Sequence, residues 1–117
     1  MKALRLLTLL LALSFSVPTF AGSGTGAVTI KKITTYKNGD YKVYVEEVDK
    51  VNGRENCTAT DGSLAFVANP DKPVGQKLML SLLMQAKAYN KKISAFVVGC
   101  CKDEDGKQSP CLRTVSY

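Results

Sequence analysis

Four cysteines, Cys57, Cys100, Cys101 and Cys111, in a 117-residue chain without a histidine restrict the fold more than any other feature. What they do depends on the redox compartment, and the N-terminus supplies it. Lys2 and Arg5 give a positive start, Leu6 to Phe15 an apolar run broken only by Thr8 and Ser14, and Thr19-Phe20-Ala21 a small-x-small ending suited to signal peptidase. Residues 1–21 therefore read as a signal peptide, with a periplasmic or secreted destination. The apolar run is shorter than the roughly 20 residues that span a bilayer, so no membrane span is expected. In an oxidising compartment the cysteines read as two disulfides. A zinc site would need histidine or paired C-x-x-C knuckles, and the chain has neither.

Bonding Cys100 to Cys101 would strain the peptide between them, so each is expected to reach a different partner. Adjacent strand residues point to opposite faces, which makes divergent partners natural. Two connectivities remain, and Cys57 with Cys100 plus Cys101 with Cys111 is preferred. Chain entropy assigns about 4 kcal/mol to the larger loop and about 3 kcal/mol to the smaller, a large share of a small domain's stability.

Cleavage after Ala21 leaves 117 − 21 = 96 residues, enough for one core and too few for two. Without Lys2 and Arg5 the 16 basic residues become 14 against 10 acidic, a charge of +4. That mild excess suits an anionic surface or a merely solvated one.

Residues 22–26, Gly-Ser-Gly-Thr-Gly, read as a flexible mature N-terminus. With Ala27 they match the glycine pattern of dinucleotide loops, but no strand precedes them and no helix follows. Residues 27–117 read as a single domain. Ala27 to Tyr36 is rich in β-branched residues, with Val28 and Ile30 on one face and Ile33 out of phase, so a bulge is expected near Lys31-Lys32. Asn38-Gly39 predicts a type I′ hairpin turn. The strand after it, Tyr41 to Val48, alternates Tyr41, Val43 and Val45 with Lys42, Tyr44 and Glu46, predicting one buried face and one wet face. A third strand is expected over Ser63 to Ala68, with Leu64 and Phe66 inward.

Pro73 suits the first turn of a helix, and the spacing predicts one from Pro73 to Tyr89. Leu78, Met79, Leu82, Leu83, Ala86 and Tyr89 form its apolar face. Asn90 can end it in a left-handed conformation. Ile93 to Cys101 and Cys111 to Tyr117 complete the strands, joined by an exposed loop over Lys102 to Pro110. Three strands, one helix and two strands, the first bulged, give a mainly β fold in the order of a five-stranded OB-like barrel with its α-helix between strands 3 and 4.

Several residues also carry a resemblance. Gly26-Ala27-Val28-Thr29-Ile30, the helix Gly75 to Tyr89 with the following Asn90-Lys91-Lys92-Ile93-Ser94-Ala95-Phe96-Val97, and the closing aliphatic strand resemble small exported Gammaproteobacterial proteins of unknown function. More distantly they are similar to the B subunits of the subtilase cytotoxin and typhoid toxin type. The resemblance implies an OB-fold, and for the toxin subunits pentameric rings and glycan binding. In the exported group a cysteine before the third strand pairs with one after a glycine, which corresponds to Cys57 and Cys100 after Gly99. The toxin subunits' glycan-contacting serine has only Ser23 and Thr25 in its vicinity here, and their longer C-terminal segment has no counterpart.

Catalytic signals are poor. Histidine, the usual base near neutral pH, is missing, as are a Gly-x-Ser-x-Gly elbow and a His-Glu-x-x-His helix. The acidic pairs Glu46-Glu47 and Asp103-Glu104-Asp105 read as solvated. Asp103-Glu104-Asp105-Gly106 lacks the first acid and the distal glutamate of a calcium loop. No enzyme, metal or cofactor is expected. Two surfaces are candidates for binding. Tyr36, Lys37, Tyr41, Lys42 and Tyr44 cluster around the first hairpin, where tyrosine can stack on a sugar. The alternative is that Tyr36 and Tyr41 form a cross-strand pair serving only the sheet. Leu80 and Met84 fall outside the helix's main apolar face beside Lys77 and Ser81, so either another part of the domain or a partner covers them; the resemblance to ring-forming toxin subunits, whose equivalent helix lines the assembly, implies a contact between copies in a homo-oligomer. The expectation is a non-enzymatic binding module for a glycan or protein partner, or an accessory periplasmic protein acting through assembly. Single-stranded nucleic acid, a common OB-fold ligand, is disfavoured by export.

Overall fold

The computed structural model describes residues 22–117, and the expected signal peptide lies outside the described residues. The strands are β1 (Ser23–Val28), β2 (Ile30–Thr35), β3 (Tyr41–Val45), β4 (Ser63–Phe66), β5 (Ile93–Lys102) and β6 (Gln108–Ser116), with one helix, α1 (Pro73–Ala88), between β4 and β5. Two 3-10 turns, Val48–Lys50 and Arg54–Asn56, occupy the β3–β4 connection. The strands form one sheet in the order β1-β5-β6-β4-β3-β2. All pairs are antiparallel except β4 with β6, which run parallel through Ala65 and Cys111.

The fold is mainly β with one helix, as expected, but it has six strands where five were expected, and no ladder joins β1 to β2 among the described residues. The single bulged strand expected over Ala27–Tyr36 is divided at Thr29, so the sheet's two edges are consecutive in the chain. Thr29 is fixed from both sides. Its amide donates to Glu47 Oε2 at 2.6 Å, and its carbonyl accepts from the Glu46 amide at 2.9 Å. The bulge does fall between Ile30 and Lys32, and Ile33 packs against the core.

Residues 23–26 are not a flexible leader but the start of β1, paired with β5 from Ser23↔Val97 to Val28↔Ile93. Just before β1, Gly22 serves a close approach: a Cβ there would meet the Val97 carbonyl oxygen at 2.8 Å, and Gly22 adopts φ +114°. The β2–β3 turn is also different from expectation. The Gly39 amide donates to the Tyr36 carbonyl and the Tyr36 amide to the Asp40 carbonyl, with positive φ at Gly39 alone. This is a three-residue loop ending in a left-handed glycine, not the two-residue type I′ turn.

Val28, Val43, Val45, Leu64, Leu83 and Val97 are almost fully buried in one hydrophobic cluster. The helix begins with Pro73 as expected and stops at Ala88, with Asn90 at φ +53°. It presents Met79, Leu80, Leu83 and Ala86 to the core, whereas Leu78 and Tyr89 are 66% and 70% exposed. The packing face is therefore rotated from the expected one. β5 and β6 run further than expected and leave only residues 103–107 as a connection.

The disulfides are Cys57–Cys100 and Cys101–Cys111. The first ties the β3–β4 connection to β5, and the second joins paired strands at the base of the β5–β6 turn.

Candidate ligand-binding surface

Alternation in β3 places Tyr41, Val43 and Val45 in the core and turns Lys42 and Tyr44 to the other face of the sheet. Of the five hairpin residues expected to bind, Tyr36, Lys42 and Tyr44 are brought together there, with Lys42, Tyr44 and Asp103 all influencing the Tyr36 phenol. Burial raises that phenol's pKa, and the Lys42 charge opposes the rise. Lys37 is exposed in the turn. Tyr41 is 1% exposed, stacked on Phe66 with ring centroids 5.1 Å apart, so it cannot contact a ligand. It faces Thr35 in the ladder, and the expected Tyr36–Tyr41 cross-strand pair does not form.

Lys42 departs furthest from the expected wet face. Its ammonium lies 2.6 Å from Asp103 Oδ2, and the two side chains are only 2% and 3% exposed. The β5–β6 turn makes this burial possible by folding over β3. Asp103 accepts from the Lys107 amide through Oδ1 and from the Gly106 amide through its carbonyl. Burial works against the charge on each partner. The hydrogen bond between them prevails, holding the Asp103 carboxyl below and the Lys42 ammonium above their usual ranges. Lys42 is thus an internal support of the surface, not a free cation. Beside it Ser63 Oγ donates to Asp61 Oδ1 at 2.6 Å and lies 2.8 Å from Ser109 Oγ. Burial disfavours the Asp61 carboxylate, but the Ser63 hydrogen bonds outweigh it and lower its pKa.

Tyr44, like Tyr36, is a partly buried aromatic of this face. The ladder sets Lys32 opposite it, with Nζ 4.5 Å from the ring centroid, and Lys42 Nζ lies 5.9 Å away. Such cations over a ring fix its position and enrich its surroundings in positive charge. A shallow cleft of about 380 Å³ opens alongside, lined by Lys31, Lys32, Tyr44, Glu46, Val48 and Asp61. Lys31, Lys32 and Asp61 were not among the expected binding residues. The doubled lysine at an expected bulge was the available signal, because bulges re-aim side chains.

Two of the five acidic residues considered for catalysis have structural partners: Glu47 holds Thr29, and Asp103 holds Lys42, while Glu46, Glu104 and Asp105 are exposed. Burial opposes the Glu47 charge, while the Thr29 hydrogen bond and nearby Lys92 and Lys50 lower its pKa. No cluster of three or more metal-ligating side chains occurs among the described residues. On α1, Lys77, Ser81 and Met84 are exposed, whereas Leu80 is partly buried against the core. No helix among the described residues is long and apolar enough to cross a membrane. Comparisons with family models, curated proteins and solved structures returned no match to the chain.

Proposed function

We propose that the chain is an exported, non-enzymatic binding module of OB-like architecture that recognises a carbohydrate at the Tyr44 surface. If β1 and β2 are taken as two halves of one bent strand, the sheet order returns to its starting strand. The helix then lies between the third and fourth strands, in the OB-like order, and the Tyr44 face belongs to the strands that bind oligosaccharides in such folds. The two disulfides are compatible with an oxidising destination.

The observation that carries the reading is Tyr44 itself: a partly exposed ring held by Lys32 at 4.5 Å beside a cleft with Lys31, Glu46 and Asp61. A sugar ring can stack on tyrosine while its hydroxyls bond carboxylate oxygens. Lys31 and Lys32 add a preference for acidic sugars such as sialylated glycans. A glycan array containing sialylated and neutral sugars tests this. Binding that falls at least about tenfold in Tyr44→Ala, with the fold retained, supports the proposal. Binding to no sugar, or binding unaffected by Tyr44→Ala, refutes it.

An accessory role through assembly has one observation in its favour, the exposed Met84 beside Lys77 and Ser81. Light scattering separates this reading, because a concentration-independent monomer removes it.

A further inference from the structure

The described residues carry 14 basic and 10 acidic side chains, an excess of +4. Residues 71–92 contain Lys72, Lys77, Lys87, Lys91 and Lys92 against Asp71 alone, 5 − 1 = +4. The other nine basic and nine acidic residues cancel, so the whole excess resides in α1 and its flanks. Among the described residues the one ion pair is Lys42–Asp103, so none of these five lysines is salt-bridged and, Lys92 near Glu47 apart, they are available to an outside anion.

The same helix exposes Val74 (69%) and Leu78 (66%), and the residue that caps its C-terminus, Tyr89, is 70% exposed. Separations of four and eleven residues place them on one side of an α-helix, along roughly 22 Å of its length. Leu78 and Leu82 also wall a groove of about 310 Å³ against β6, where Arg113 is the charged lining residue. At the C-terminal end Tyr117 is 53% exposed, with Lys91 Nζ 5.7 Å from its ring centroid.

We propose that α1 docks this protein on an anionic phospholipid surface, with Val74, Leu78 and Tyr89 entering the interface and the flanking lysines meeting the headgroup phosphates. Charge complementarity selects the occupant: the same stripe of a second copy would set +4 against +4, whereas an anionic surface offers the opposite sign. A lipid interface suits the rest of the surface better than an acidic protein does. Val74, Leu78 and Tyr89 point away from the core, lysines beside them can keep their charge among headgroups while their stems stay apolar, and tyrosines prefer the boundary between apolar and wet phases. Amphipathic helices with basic flanks bind membranes in this way.

The test is co-sedimentation of the protein, expressed as the full chain, with vesicles of phosphatidylglycerol and phosphatidylethanolamine or of phosphatidylcholine. Parent and variants carry the same N-terminus, so their difference reports on α1. Binding to the anionic vesicles is expected to fall with added salt and to drop about fivefold for Lys77→Gln, which flanks the stripe. Leu78→Gln should cost roughly tenfold or more, and Tyr44→Ala should change nothing. These side chains are exposed, and retained circular dichroism confirms that the variants fold. Equal binding to phosphatidylcholine, or variants that sediment like the parent, overturns the proposal. Tighter binding to a poly-glutamate peptide than to anionic vesicles, indifferent to Leu78→Gln, overturns it in favour of an acidic protein partner.

Discussion

Tyr41 shows how one side chain can help and harm a core at once. Its ring stacks on Phe66, yet its hydroxyl is buried with no hydrogen-bond partner, and burial raises its pKa. Leaving a polar atom unpaired costs about 1 to 3 kcal/mol. Tyr41→Phe should therefore stabilise the protein by roughly 1 kcal/mol, read as a higher urea midpoint at unchanged slope; a lower midpoint would mean that the hydroxyl has a partner after all. Lys42 presents the opposite case, a buried charge that is satisfied. Asp103→Ala removes its salt-bridge partner and should cost about 3 kcal/mol near neutral pH. The pH dependence follows from the two shifts. The Asp103 pKa is lowered, so its contribution is present above the unfolded value of about 4 and is lost as pH falls through the folded value. The Lys42 pKa is raised, so its contribution is complete below about 10.4 and is lost as pH rises through the folded value. The stability gap between parent and Asp103→Ala should accordingly shrink at both acid and alkaline extremes. A gap that stays constant from pH 2 to 7 would show that the pair adds nothing.

Among the elements, the β2–β3 hairpin was legible in the sequence because Asn38-Gly39 satisfies two turn geometries alike. The sequence could not decide between them. The structure uses a left-handed residue only at Gly39, at φ +93°, and Asn38 instead accepts from the Asp40 amide and donates to Asp40 Oδ2. Gly39→Ala should cost about 1 kcal/mol or more, since a Cβ there is strained, while Asn38→Ala loses those side-chain bonds without backbone strain. Thermal melts that rank Asn38→Ala below Gly39→Ala would contradict this turn assignment. The ends of α1 were equally readable from Pro73 and Asn90, but its buried face was not. An apolar arc wider than the contact leaves the choice of face to the sheet, which takes Met79, Leu80, Leu83 and Ala86 and leaves Leu78 and Tyr89 outside. β1 was hidden for a different reason: its glycines look like a linker, and its place comes from backbone pairing with β5. Within the candidate site, Tyr44 could be placed by strand alternation alone. The covering of Lys42 could not, because it depends on a turn 61 residues away.

At the scale of the whole molecule, the chain's long-range architecture converges on the cysteines. β4 and β6, distant in sequence, meet as a parallel pair at Ala65 and Cys111, and parallel pairing cannot be made by a local turn. Cys111 is also bonded to Cys101, one residue from Cys100, whose own partner Cys57 fixes the long β3–β4 connection against β5. The two bonds differ in what they restrict. Cys57–Cys100 closes 43 residues including β4 and α1, whereas Cys101–Cys111 closes 10 residues that already form a hairpin. Chain entropy gives about 4 and about 3 kcal/mol for loops of these lengths. The hairpin's tendency to pair in the unfolded chain reduces the second figure further. Cys57→Ala with Cys100→Ala should thus destabilise the protein more than Cys101→Ala with Cys111→Ala, as measured by guanidinium unfolding. The shorter bond retains a local role, because it holds the base of the turn that carries Asp103 over Lys42. Its removal should raise amide exchange at Asp103 and Lys107, whose backbone and side-chain bonds close that turn, while the core of β3 stays protected. Exchange that rises equally in β3 would show that the turn and the sheet open together as one unit.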